Sequence, residues 1–144
     1  MSTPYAEIDN MFLSDVKDST ILEYTEEERA EILNNLREKA IPRFKCCQSD
    51  LSDRDEIFGE FKADLTNEEK LILATIMRKY WLNDKIYSLD LLKQRLSSKD
   101  WRMTSQAEHL LRLTVLNQEL EKEISSMIVD YSVYSYKIKE RGSS

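Results

Sequence analysis

The chain reads as an all-α protein: a helical bundle around one long C-terminal helix, ending in an extended C-terminal tail. Three observations predict this. Apolar residues recur at steps of three and four through most of the sequence, the period of helices with one buried stripe. Two Gly and two Pro in 144 residues fall well below the roughly 7% and 5% of average usage, so turns are few and helices long. Ser/Thr-x-x-Glu boxes at Thr25–Glu28, Thr66–Glu69 and Ser105–Glu108 mark three helix starts, each able to satisfy two otherwise unpaired backbone N–H groups. Residues 1–131 read as one bundle domain and residues 132–144 as an interaction tail.

The first helix is expected to be capped by Thr3 with Pro4 at its first position, where a missing N–H is harmless. Tyr5, Ile8, Met11, Phe12 and Val16 form its apolar face, and it should end near Asp18-Ser19. Thr25 opens the second helix, with Glu26, Glu27 and Glu28 in the first turn where the dipole favours acids. Ile32, Leu33, Leu36 and Ala40 line it, and Pro42 should bend it or end it just before itself. Residues 50–63 carry no clear period. Ile57, Phe58 and Phe61 around Gly59 fit either a short helix edge or a short extended arm.

Thr66 opens the third helix. Leu71 to Leu82 place apolar residues on more than one face, which predicts the most buried helix, packed against the C-terminal one. Asn83-Asp84 should end or bend it, Ser88 should cap a short helix through Leu96, and Ser97 to Asp100 should be a turn. From Ser105 to about Tyr131, Leu110, Leu113, Leu116, Leu120, Ile124, Met127 and Tyr131 form one stripe without a Gly or Pro interruption. About 27 residues at 1.5 Å each give a helix near 40 Å, longer than a small core needs. Asn117 reads as a register-fixing polar residue within the stripe or as a wet residue at its edge.

The tail changes character. Tyr131, Val133, Tyr134, Tyr136, Lys137, Ile138, Lys139 and Arg141 make it aromatic and basic on an acidic protein. It reads either as a continuing, fraying helix or as a docking tail. The docking reading is taken here: a strand added to a partner's sheet, with tyrosines as contact area.

Chemistry has few footholds. The net charge is −6 with 33% charged residues, against the basic face that nucleic-acid binding needs. No apolar run approaches the roughly 18 residues of a membrane span, and the first residues lack the pattern of a secretory signal, so a cytoplasm is the expected location. Cys46 and Cys47 are adjacent, which disfavours a disulfide between them. His109 is the one histidine, too little for a metal site with two cysteines far away in sequence. Asp50, Asp53, Asp55 and Glu56 lack the spacing of a calcium loop and read as capping carboxylates. Gly59 and Gly142 cannot make a phosphate loop, and no nucleophile motif is present. No catalytic residue, cofactor or metal is expected.

A resemblance goes further. The run Ser52-Asp53-Arg54-Asp55, then Phe61 and Asp64-Leu65-Thr66-Asn67-Glu68-Glu69, resembles a family of small proteins of tailed bacteriophages. So do Ile72-Leu73-Ala74, Trp81-Leu82, Leu91-Leu92-Lys93-Gln94, Lys99-Asp100 through Met103, Ser105-Gln106-Ala107 and His109-Leu110. The family is that of the head–tail connector, or adaptor, proteins of the virion neck, and the similarity spans about Pro4 to Tyr136. It implies an α-helical adaptor, not an enzyme, made in the host cytoplasm and placed in the virion neck. It also implies a homo-oligomeric ring, commonly a dodecamer, beneath the portal protein. DNA would pass through without specific binding, and the next neck or tail protein would sit below. The segment Tyr131 to Arg141 would embrace the portal. The alternatives are another phage assembly protein, in tail completion or chaperoning, or a small regulatory binding module.

Overall fold

Residues 72–77 are buried without exception. A helix turns through all its faces within that length, so it must be covered on every side. In the computed structural model, which describes residues 1–16 and 19–142 (side chains excepted at 19, 20, 135 and 137–142), these residues lie in α3 (Asn67–Arg95). Packed on α3 are α1 (Tyr5–Asp15), α2 (Glu26–Arg43) and α5 (Ser105–Gly142). A short α4 (Ser98–Arg102) links α3 to α5. Helix takes 74% of the chain and strand 5%, so the molecule is an all-α bundle.

α3 and α5 run antiparallel, as their side-chain pairs show. Asn117 Nδ2 donates to Asn83 Oδ1 at 2.7 Å, Lys79 Nζ meets Glu121 at 2.7 Å, and Tyr131 donates to Glu69 at 2.7 Å. That register sets the first residue of α3 opposite Val133, so the end of α5 runs on past α3. The core joins Ile8 and Phe12 of α1, Leu36 and Ala40 of α2, Ile72 to Leu82 of α3 and Leu120, Ile124 and Tyr131 of α5.

Several expectations are corrected. Thr3 is not a helix cap. It is 1% exposed and ties the N-terminus to a distant loop: its Oγ1 donates to the Ala63 carbonyl and accepts from Leu65 N–H. Thr3–Pro4 forms an edge strand, β1, where a residue without N–H is tolerated. It pairs antiparallel with β3 (Glu60–Phe61), which pairs with β2 (Arg54–Asp55), so residues 50–63 hold a small hairpin in a sheet ordered β1-β3-β2. α1 ends at Asp15, and residues 17 and 18 of its expected end lie outside the described residues. α2 runs one residue past Pro42, because the missing N–H falls in the last turn and costs a single bond. α3 does not break at Asn83-Asp84. Ser88 Oγ bonds back to the Asp84 carbonyl, so Ser88 sits inside the helix and caps nothing. Ser97 caps a five-residue helix where a turn was expected. The capping boxes at Thr25 and Thr66 form as read, whereas α5 already begins at Ser105.

The backbone stays helical through residue 142. The β pattern of Tyr131 to Lys139 is therefore not expressed as a strand within this chain. A lone strand leaves its N–H and C=O groups unpaired, whereas a helix pairs them internally.

Candidate functional site

The segment that leaves the bundle is held at its base by a buried carboxylate. Glu69 sits in the first turn of α3, placed there by its role in the Thr66 capping box, and is 2% exposed. Its Oε1 accepts from Thr66 N–H and Ser49 Oγ, both at 2.9 Å. Its Oε2 accepts from Tyr131 OH at 2.7 Å and Cys47 Sγ at 3.2 Å. Burial raises the pKa of such a group, but these four donors outweigh it and hold Glu69 below the usual carboxylate range. The Tyr131 hydroxyl also accepts from Gln48 N–H at 2.7 Å, and its ring stands edge-on to Phe44 at 5.0 Å. Burial and the Glu69 carboxylate push the Tyr131 hydroxyl up. The same two causes push the Cys47 thiol up to about 12, so Cys47 serves as a weak donor and is a poor nucleophile at neutral pH.

Tyr131 is thus packed in the core at 4% exposure, on the inward stripe of α5. The next residues divide differently. Val133, Tyr134 and Tyr136 are exposed, at 49%, 61% and 66%. Val129, also exposed, precedes Val133 by four and Tyr136 by seven, so the three form a second stripe on α5. The steps 129, 133 and 136 were a readable signal, but the stronger core stripe masked it. Lys137, Ile138, Lys139 and Arg141 follow on the same helical backbone; their side chains lie outside the described residues.

The other singled-out residues fall elsewhere. His109 is exposed and borders an open groove of about 310 Å³ with Tyr24, Trp81, Asp84 and Lys85. Asp50 Oδ1 accepts from Ser52 N–H, and Asp55 Oδ1 from Ile57 and Phe58 N–H, so these acids cap turns. Asn117 is half-buried at the α3–α5 seam, where its Nδ2 donates to Asn83 Oδ1. Among the described residues no group of three or more His, Cys, Asp or Glu is placed to hold a metal ion, and no helix is long and apolar enough to cross a membrane. The arrangement offers surfaces for binding, and the thiol that it sets against a carboxylate, Cys47 at Glu69, is held protonated by burial and by that carboxylate. Beyond the capping box no local pattern signals the Glu69 network, because Cys47, Ser49 and Tyr131 are remote from Glu69 along the chain.

Fold and site define a helical bundle with a latched, outward-running C-terminal helix. Comparison with protein-family models, curated proteins and solved structures finds no match.

Proposed function

We propose that the chain is a structural assembly protein, a head–tail connector that forms a ring under the portal of a tailed bacteriophage and joins head to neck or tail. The observation that supports this best is the C-terminal half of α5. It is fixed to the body at Tyr131, with exposed Val133 level with the start of α3 and exposed Tyr136 beyond it. A helix with an exposed apolar stripe docks into an apolar groove, so the docking mode proposed is helix-in-groove. Lys137, Lys139 and Arg141 suit an acidic groove rim. The motif resemblance from Pro4 to Tyr136 supplies the connector assignment, with the portal and the next neck or tail protein as partners.

Native mass spectrometry of the protein mixed with the portal ring of the phage that encodes it tests this. Saturable addition of one copy per portal subunit is the expected result. No addition, with both components folded, overturns the reading in favour of a tail-side component or a regulatory binding module.

A further inference from the structure

Beyond the Asn83–Asn117 pair, α3 and α5 form an outer hairpin whose tip and base carry opposite charge. At the tip, from Leu92 to Met103, Lys93, Arg95, Lys99 and Arg102 stand against Asp100, a net charge of +3. All four cations are exposed. Beside them Leu92, Leu96 and Met103 are 39%, 36% and 78% exposed. At the base, the start of α2 makes an acidic shoulder. Residues 23–31 carry Glu23, Glu26, Glu27, Glu28 and Glu31 against Arg29, a net charge of −4. Leu22 and Tyr24, also exposed, accompany them. Among the described residues no ion pair engages the tip cations or the shoulder glutamates.

Shoulder and tip lie along one side of the hairpin. Tyr24 borders the groove of about 310 Å³ with Trp81, Ser88 and His109, and the charges of Asp84 and Lys85 beside it cancel. Ser88, Leu92 and Leu96 follow at steps of four along α3, so the groove continues outward as an apolar stripe that ends at the tip. From Asp84 to Arg95 the helix rises about 16 Å, too far for the tip to reach the shoulder of its own chain. A second hairpin laid antiparallel along this side meets both. The spacing is the same in the two copies, so both tip–shoulder contacts close together.

We propose that two copies of this chain associate through their outer hairpins, laid antiparallel, with the basic, apolar tip of each on the acidic shoulder and groove of the other. Two helices cover one stripe of each other, and two such hairpins together enclose a four-helix bundle. Opposite charge fixes the antiparallel direction, because a parallel pair would set tip against tip and shoulder against shoulder. Both copies contribute the same surfaces, so the contact closes at the dimer and is not the one that builds a ring. The inference goes beyond the connector reading, and its test uses the protein alone, so its failure and the failure of portal binding are separate results.

The experiment is sedimentation velocity of the full chain over a concentration series up to about 1 mM, the weak end of specific association. Wild type is expected to pass from monomer to dimer and to stop there. A tip variant, Arg95→Glu with Lys99→Glu, and a shoulder variant, Glu27→Lys with Glu31→Lys, change exposed positions and should keep the helicity of wild type. Each should dimerise about tenfold more weakly or worse, because like charges then face each other at both contacts. Mixed together, the two variants should form a heterodimer as readily as wild type forms its dimer, because both contacts again join opposite charges. A wild type that stays monomeric, growth beyond the dimer, variants that dimerise like wild type, or a mixture that stays monomeric would each overturn the proposal.

Discussion

The two ends of the α3–α5 pair use similar residues to opposite effect. From Asn67 to Leu82 and from Leu120 to Tyr131, the inward apolar stripe is sealed: Ile72, Leu73, Ile76, Met77 and Ile124 have no appreciable exposure, while Leu71 and Val129 face outward. From Lys85 to Glu119, the buried side chains are Trp101 and Leu110, while Tyr87, Leu91, Leu92, Leu96, Met103, Leu111 and Val115 are exposed. The cause is the number of neighbours. The body surrounds α3 with three helices, whereas the outer part is a hairpin closed by five-residue α4. Two helices cover one stripe of each other and leave any second stripe to solvent or to a partner. Polar pairs mark the border: Asn83 with Asn117, and Glu121 with Lys79 and Arg43. Apolar content therefore does not tell where the core lies; enclosure does.

The largest expected effect tests that division directly. Ile124→Ala should cost about 3 kcal/mol, the loss of a fully buried branched side chain, whereas Leu111→Ala, at 69% exposure, should stay within about 0.5 kcal/mol. Urea unfolding followed by circular dichroism measures both, and similar costs would break the comparison. Next comes the latch. Glu69→Gln should cost about 2 kcal/mol, because buried donors lose an ionised acceptor. The sign with pH follows from the lowered pKa of Glu69: its contribution is full above the ordinary carboxylate value and is lost as pH falls through the folded-state value. The variant should therefore show a shallower fall of stability into acid, measured by unfolding at a series of pH values; an unchanged acid limb would exclude Glu69 as its source.

A smaller effect is expected at the border. Replacing Asn83 and Asn117 together by Leu should leave stability within about 1 kcal/mol of wild type but loosen the register of the hairpin. Hydrogen exchange should then show faster exchange over residues 85–119 than in wild type, and unaltered protection would deny the pair its register role. The smallest effect on stability is expected beyond the body. Val133→Asp with Tyr136→Asp should shift stability by less than about 0.5 kcal/mol while abolishing addition to the portal ring; retained addition would show that this stripe is not the docking face.

Most helices were legible because their signals are local. The capping boxes at Thr25 and Thr66 rest on residues three apart, and the stripe from Leu110 to Tyr131 on a fixed period. Local chemistry misled where a tertiary partner competes. Thr3 beside Pro4 has the form of a helix start, yet its hydroxyl bridges Ala63 and Leu65. Asn83-Asp84 and Ser88 have the form of a break, yet packing against α5 carries α3 through them. Tyr131 belongs by composition to the aromatic tail and by burial to the core.

The all-α class, the capped starts of α2 and α3 and the inward stripe of α5 follow from the chain's local order, because each depends on groups within a few residues of one another. Long-range packing settles that Glu69 joins the 47–49 loop to Tyr131, that residues 54–61 form a braced hairpin with Ile57 and Phe58 outward, and that the outer α3–α5 hairpin keeps an uncovered apolar face. Those outcomes depend on which surfaces meet between segments outside one another's local pattern, as Glu69 meets Cys47, Ser49 and Tyr131, a matter of enclosure that no local pattern encodes.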